Sequence, residues 1–399
     1  MKCKVSGKKI KPFMSFGRMP MANGFLSQKN FKNEFFYKLE VGFSSQNYLF
    51  QVNDHPKSNF IFNNNYPFYT NKSKFMIKHF KNYYKWTKKF LNKNSKVVEI
   101  GSNDGTLLVN YKKGGYKHLG YEPSTNVAKF SRKKGLNVTS SFFTNSKVQK
   151  NNFFKNKTDL ICAANVICHI PNLKDLIRGV QTLLSKKGVF VFEEPYLGEM
   201  FKKVSYDQIY DAHVFIFSLH SVKKIFSEYG LELIDALPQK THGGSMRYVI
   251  SKIGERKVNS RVENLLKKEK KQKLNTLASC LKFKKDCIES KKKFLRKIVK
   301  LKKQGKIICG YAASAKSTTA LNFCKIGNKH IDYIADSTSE KIGKFTPGTH
   351  IPVVSIEHFR KNYPDFAILC SWNHRKEIME KEKKFKSKGG KWIYHVKNA

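Results

Sequence analysis

Apolar residues recur at mostly helical spacing between Lys74 and Leu91, where Phe75, Ile77, Phe80, Tyr83, Tyr84 and Phe90 fall along one face, so the pattern predicts a helix. It then changes to Lys96-Val97-Val98-Glu99-Ile100-Gly101, a short buried-strand signature ending in glycine. Strand-like runs follow at 118–122, 159–163 and 188–193, with helical stretches such as Leu173 to Leu184 between them. This alternation predicts a mostly parallel sheet with helices on both faces. Residues 1–72 hold no long periodicity, being broken by Pro12, Pro20, Pro56 and Pro67, and are expected to form a small irregular domain. Between 255 and 304, Val258, Val262, Leu265, Leu274, Leu277, Leu281, Ile288, Leu295 and Ile298 form an apolar stripe in a lysine-rich background. That stripe predicts a long amphipathic connector helix with room for one break. A second strand–glycine–helix unit opens at Lys306-Ile307-Ile308-Cys309-Gly310, and strands expected at 331–336 and 365–370 complete a smaller α/β domain. The expected division is 1–72, 73–254, 255–304 and 305–399.

Composition narrows the class. The chain has 399 residues, 40% hydrophobic and 13% aromatic, enough for packed interiors in several domains. No apolar run approaches the roughly 18–20 residues of a membrane span, and the basic start leads into Ser6-Gly7-Lys8-Lys9, not an apolar signal core. Eight scattered cysteines, with Cys162, Cys309 and Cys370 inside apolar runs, fit reduced core thiols in a cytoplasmic protein. The net charge of +48 comes almost wholly from lysine, with nine arginines among 77 basic residues. Readers of nucleic acid lean on arginine for bidentate contacts, so solvated lysine faces are expected, with no nucleic-acid, membrane or obligate protein partner. The field would still favour an anionic small substrate.

Five segments carry candidate chemistry. In Glu99-Ile100-Gly101-Ser102-Asn103-Asp104-Gly105, the strand-to-helix turn presents backbone amides to a ligand. Asn103 stands where a dinucleotide fingerprint has its second glycine, and Glu99 would sit badly beside a pyrophosphate, which argues against a nicotinamide oxidoreductase. Glu99 suits a cationic amino-acid ligand such as S-adenosylmethionine, and Glu122, ending the next strand, can accept both hydroxyls of a ribose. Asn165 and His169 leave the strand at 159–163, where the crevice of an open α/β sheet lies. Tyr210 and His213, three apart, can form an acid/base pair. The run Thr241-His242-Gly243-Gly244-Ser245-Met246-Arg247 suggests backbone approach to a polar ligand or a tight hairpin. Finally, Gly310-Tyr311-Ala312-Ala313-Ser314-Ala315-Lys316 enters a helix with small residues and a lysine, a phosphate cradle without the Walker spacing, and Asp336 ends the strand after it.

In this order, and together with Met19-Pro20-Met21-Ala22-Asn23-Gly24-Phe25-Leu26, Pro347-Gly348-Thr349-His350-Ile351-Pro352 and Cys370-Ser371-Trp372-Asn373, these segments resemble the sugar C-methyltransferase family of deoxysugar biosynthesis. The resemblance spans nearly the whole chain. It implies a zinc-binding N-terminal domain, a class I methyltransferase Rossmann-like domain using S-adenosylmethionine and a C-terminal Rossmann-like domain, acting on a nucleotide-linked 4-keto deoxysugar. It implies His213 as the base, Tyr210 at the carbonyl oxygen, and Asn165, His169 and Tyr69 around the pocket. Glu99, Gly101, Asn103, Gly105, Glu122 and Asn165 would hold the cofactor. Tyr69, His242, Gly243, Ser245, Arg247, Ser314, Lys316 and Asp336 would hold the substrate, with Lys316 at the diphosphate. Three departures accompany the resemblance. Ser6, Ser44 and Asn47 align with three of the four zinc cysteines, leaving only Cys3, so no metal is expected. The family's Y-H-E-H reads Tyr210-Asp211-Ala212-His213, lacking the carboxylate beside the base unless Asp211 substitutes. Ala312 and Ser317 stand where the family has glycines.

Overall fold

The computed structural model describes residues 1–64 and 66–397, and three sheets organise them. The central sheet has seven strands in the order Leu231–Gln239, Ser245–Lys252, Leu184–Pro195, Thr158–Ala164, Lys96–Ile100, Lys117–Tyr121 and Val138–Thr139. All neighbours pair in parallel except Ser245–Lys252, which runs antiparallel to both of its partners. The run that reads as a buried strand therefore lies mid-sheet, with Val97, Val98 and Ile100 fully enclosed. Its parallel neighbours continue in opposite directions from it, which opens a crevice beyond its carboxyl end.

The C-terminal sheet repeats that logic with five parallel strands, in the order Val353–Ser355, Ile334–Asp336, Ile308–Tyr311, Phe366–Leu369 and Lys391–Ile393. Again the first strand of the unit sits centrally, between the second and a later one. Two switch points result.

The N-terminal residues are not irregular as their prolines suggested. Pro12–Pro20, Phe36–Ser44, Leu49–Val52 and Phe215–Ile216 form an antiparallel sheet. Pro12 and Pro20 bound the outermost strand, where a missing N–H costs no ladder bond. Two register shifts, at Pro12/Met14 and Ser15/Gly17, break its alternation. The last strand, Phe215–Ile216, comes from just after His213 and ties this sheet to the central domain.

The connector is two helices, Ser260–Lys271 and Leu277–Lys303. Its buried face matches the expected stripe in part: Val262, Leu274 and Ile298 are buried, Val258, Leu277, Leu281 and Ile288 are exposed, and Cys280, Phe283, Cys287 and Phe294 complete the inward face. Glu269 is wholly buried despite its lysine-rich surroundings. It accepts the amides of Leu219 (2.7 Å) and His220 (3.1 Å) at the start of helix Leu219–Ser227, and the Tyr196 hydroxyl (2.9 Å). A carboxylate at a helix N-terminus is favourable, and this one docks the connector on the central domain. All eight cysteines are free and buried. No helix among the described residues is long and apolar enough to cross a membrane.

Candidate active site

Both switch points open into one cavity of about 920 Å³. From the central domain it is lined by Glu99, Gly101, Asn103, Glu122, Asn165, His169, Tyr210, His213 and His242; from the C-terminal domain by Ser314, Lys316 and Asp336; and from the N-terminal segment by Tyr69. Four expected residues lie elsewhere. Gly105 packs against Leu136, so a side chain there would collide. Gly243 is covered by the Trp372 ring. Ser245 is buried and donates to the Thr241 carbonyl (3.0 Å). Arg247 is buried in an ion pair with Glu193 (2.6 Å), under Tyr83 and Trp86, and is a structural cation. A hairpin turn is thus what the Gly243-Gly244 pair builds, joining Leu231–Gln239 to Ser245–Lys252.

At the cofactor end, Glu99 is buried, and its Oε2 has no hydrogen-bond partner. Burial first, then the neighbouring Asp104 and Glu122 carboxylates, push its pKa well above the usual carboxylate range. Glu122 accepts the Asn103 amide at Oε2 (2.9 Å) and the Ser124 amide at Oε1 (2.8 Å), leaving further lone pairs toward the cavity. The side-chain oxygens of Ser102 and Asn165 are also buried without partners. Asn165 holds a left-handed conformation (φ 57°), its amide bonded to the Glu193 carbonyl. Asn103, also left-handed (φ 47°), does not leave its side chain for a ligand. Its Oδ1 accepts from both the amide and hydroxyl of Thr70 (3.1 Å each), and its Nδ2 donates to the Phe68 carbonyl (3.1 Å). Asn126 Nδ2 donates to the Tyr66 carbonyl and the Tyr69 hydroxyl. An aromatic strap, residues 66–70, is thereby clasped over the turn after Glu99. The resemblance brought Tyr69 of this segment toward the pocket, but the segment has no period from which its clasp to Asn103 and Asn126 could be read.

Tyr210 and His213 face each other on a turn. The Tyr210 hydroxyl lies 2.6 Å from His213 Nε2, and His213 Nδ1 lies 2.7 Å from the Gln208 carbonyl. A carbonyl can only accept, so Nδ1 carries the proton and Nε2 is the basic nitrogen. Burial, followed by the charges of His169, Lys316 and His242, holds His213 well below the usual imidazole range. Burial also keeps the Tyr210 hydroxyl un-ionised. The pair is a neutral acceptor with a neutral donor. His169 donates from Nδ1 to the Ala212 carbonyl (2.6 Å), its ring 5.2 Å from that of His213. Cys168, His169 and His213 each bring one ligand-type atom within 4.8 Å of the others, a grouping the sequence reading did not name. Burial pushes the Cys168 thiol well up, which keeps it protonated, and Tyr210 occupies His213 Nε2. Asp211 does not stand in for the missing carboxylate. It accepts the amides of Ala22 (3.0 Å) and Ala212 (2.9 Å), while both His213 nitrogens are engaged elsewhere.

At the other end, Ser314 caps helix Ala315–Cys324 in a reciprocal box with Ser317, which accounts for serine at 317. Ala312 adopts φ 70°, a conformation costing a non-glycine residue roughly 1–2 kcal/mol. Lys316 is buried, its Nζ 3.4 Å from the His242 carbonyl and from Asn373 Oδ1. Lys341, not anticipated amid so many lysines, also lines the cavity and donates to the Ala313 carbonyl (2.7 Å). Asp336 Oδ1 accepts the Thr338 amide (2.7 Å).

Residues 3–62 match the family described as putative zinc binding domain, residues 76–236 the methyltransferase domain, and residues 240–396 the C-methyltransferase C-terminal domain. The C-methyltransferase NovU of Streptomyces niveus is 30% identical over 302 residues, covering 75% of this chain and 72% of that protein. The chain belongs to the C-methyltransferase family. Among solved structures, the PH0226 protein of Pyrococcus horikoshii OT3 aligns at 13% identity over 50% of this chain and 100% of that one (TM-score 0.38). Magnesium protoporphyrin IX methyltransferase of Synechocystis PCC 6803 aligns at 12% identity over 44% and 79% (TM-score 0.34). This C-methyltransferase has the class I methyltransferase domain with its second Rossmann-like unit, and S-adenosylmethionine is its methyl donor. The cavity fits that group: unpartnered, buried acceptors at Glu99, Ser102 and Asn165 await donors, as an ammonium and sugar hydroxyls would supply. Zinc does not fit the N-terminal domain. Cys3, Ser6, Ser44 and Asn47 do converge, with Cys3 Sγ 3.7 Å from Asn47 Oδ1 and Ser44 Oγ 3.4 Å from the same oxygen, yet they offer one thiolate.

Proposed function

We propose that the chain methylates the carbon beside the keto group of a nucleotide-linked 4-keto deoxysugar in the cytoplasm, through an enolate. The single observation supporting this reading is the shared cavity, in which the Tyr210–His213 pair lines the same space as Glu99 and Lys316. Bound S-adenosylmethionine supplies an electrophilic methyl group. His213 is neutral at physiological pH and carries its proton on Nδ1, so Nε2 can take the proton that the adjacent ketone acidifies. The Tyr210 hydroxyl, now bonded to Nε2, would pass to the carbonyl oxygen when substrate enters and stabilise its developing charge. That exchange frees the base as it provides the donor. His169 would complete the pocket, and Tyr69 would approach from the strap. His242, Ser314, Lys316 and Asp336 would hold the nucleotide part, with the lysine at the diphosphate and the aspartate at a ribose. Glu99, Gly101, Glu122 and Asn165 would hold the donor, and Asn103 acts by fastening the strap.

Incubation with labelled S-adenosylmethionine and a panel of nucleotide 4-keto sugars tests the substrate class. In deuterated solvent, exchange at the carbon beside the ketone separates carbon methylation from transfer to oxygen or nitrogen. His213→Ala is expected to lower kcat at least 100-fold, with S-adenosylmethionine affinity within twofold. Full activity in that variant would remove His213 as the base.

A further inference from the structure

Three segments far apart in sequence meet at Trp372. Its ring covers Gly243 of the hairpin, leaving no room for a side chain there, and its indole Nε1 donates to Asp207 Oδ2 at 2.7 Å. Asp207 is wholly buried, and its Oδ1 has no partner. The residue after it, Gln208, presents the carbonyl that fixes His213 Nδ1. Asp207 is thus the hinge between the C-terminal domain and the turn carrying Tyr210 and His213. His395, close to the chain's end, lies 3.4 Å from the same Asp207 oxygen. Helix Ala315–Cys324 grips that turn as well: the Thr319 hydroxyl donates to the Ile209 carbonyl at 3.0 Å.

We propose that Trp372 is a positioning residue for His213, holding Asp207 so that the Gln208 carbonyl keeps the imidazole in its Nδ1–H tautomer and aimed into the cavity. This rests on the reading of His213 as the base. The lysine expected at the diphosphate shares the anchor, since Lys316 Nζ reaches Asn373, the neighbour of Trp372, and lies 5.3 Å from the Trp372 ring centre. The C-terminal domain therefore does more than carry the acceptor: it orients the base on the other domain. A buried carboxylate is suited to this role because in low dielectric its charge-assisted bond is strong and directional.

Trp372→Phe tests the link by removing the indole donor, and since it also shortens the ring edge over Gly243, Asp207→Asn, which leaves that ring in place, is measured beside it. The titratable groups facing His213 are Tyr210, Cys168, His169, Lys316 and His242, and all remain. Three results are expected: kcat at least tenfold lower, KM for S-adenosylmethionine within twofold, and the acid limb of the pH–rate profile moved up toward the ordinary imidazole range as the ring escapes its buried site. Nitrogen-15 spectra of the free protein are expected to show the His213 Nδ1–H signal broadened or shifted, and a double-mutant cycle with His213→Ala to show no further loss from the second change. An unchanged His213 signal with unchanged kcat would overturn the proposal, as would additive losses in the cycle. If Trp372→Phe fails to fold, Asp207→Asn reads the same contact through the same signal, and an unchanged signal there also overturns it. Should His213→Ala retain turnover while Trp372→Phe still moves the His213 signal, the base reading fails and the positional link stands.

Discussion

Asn103 Oδ1 accepts both polar hydrogens of Thr70, its amide and its hydroxyl, at 3.1 Å each. The residue that breaks the dinucleotide fingerprint is therefore a clasp between the turn after Glu99 and the aromatic strap. Glycine at 103 would relieve the left-handed backbone but release the three strap hydrogen bonds made by Asn103, each worth about 0.5–1.5 kcal/mol, leaving the two made by Asn126. Asn103→Gly is expected to weaken S-adenosylmethionine binding roughly tenfold, mainly through faster dissociation, with a modest drop in melting temperature. Stopped-flow dissociation with a fluorescent analogue measures it. An unchanged rate would show that the strap does not retain the donor.

Glu194 sets a pH dependence on stability. It is wholly buried and accepts the amides of Val166 (2.9 Å) and Ile167 (2.6 Å), so it supports the turn that carries His169. Burial pushes it from 4.5 up to about 7, against the lowering effect of Cys168 and the amide bonds. A carboxyl raised in the folded state contributes stability below its unfolded value and loses that contribution as pH rises through the folded one. The loss therefore runs from about pH 4.5 to 7 and is worth on the order of 3 kcal/mol. Asp211, raised from 3.8 to about 6 by burial, adds a loss of the same sign at lower pH. Glu194→Gln keeps an oxygen for both amides and is expected to flatten the decline between pH 5 and 7. Melting temperatures across that range decide it, and parallel curves for the two proteins would refute the assignment.

Arg247 was expected at the substrate and lies instead against Glu193, which also bonds His79 Nε2 at 2.6 Å. Removing one partner of a buried pair leaves an uncompensated charge, at a cost of about 3 kcal/mol or more. Arg247→Ala is accordingly expected to lower the unfolding midpoint sharply, with KM for substrate unchanged in the fraction that remains folded. A selective rise in KM would return Arg247 to the binding site.

The parts of this fold legible from sequence are those whose pattern is local. In the run 96–101, Val97, Val98 and Ile100 are apolar because their strand is enclosed on both faces, Glu99 is the one buried carboxylate among them, and the glycine turn follows. The N-terminal sheet was hidden because bulges near Met14 and Gly17 destroy the two-residue alternation of its outer strand. On the long helix, apolar residues occupy two faces, and the buried one is completed by Cys280 and Cys287, which a stripe of aliphatics passes over. Arg247 misled because a charged residue in an apolar strand signals either a ligand or a buried counter-ion, and Glu193 is 54 positions away. Asp207 and Trp372, separated by 165 positions, lie beyond any periodicity.

The four positions aligned with the family's zinc cysteines, Cys3, Ser6, Ser44 and Asn47, can be tested in both directions. Cys3 Sγ also accepts the Ser6 amide at 3.4 Å within its own turn, its contact with Asn47 Oδ1 at 3.7 Å links that turn to the one after Phe36–Ser44, and Asn47 Nδ2 reaches Glu228 at 3.5 Å, at the end of helix Leu219–Ser227. Chelator is expected to leave the melting temperature unchanged, because nothing in this cluster depends on a metal for its closure. The combined variant Ser6→Cys, Ser44→Cys, Asn47→Cys should regain tetrahedral thiolate coordination and bind one zinc per chain, since the backbone already brings the four side chains together. Its melting temperature should then rise with zinc and fall with chelator. Zinc bound stoichiometrically by the unaltered chain, with loss of stability on its removal, would show that a single thiolate with oxygen ligands suffices and would reverse the conclusion drawn from Cys3.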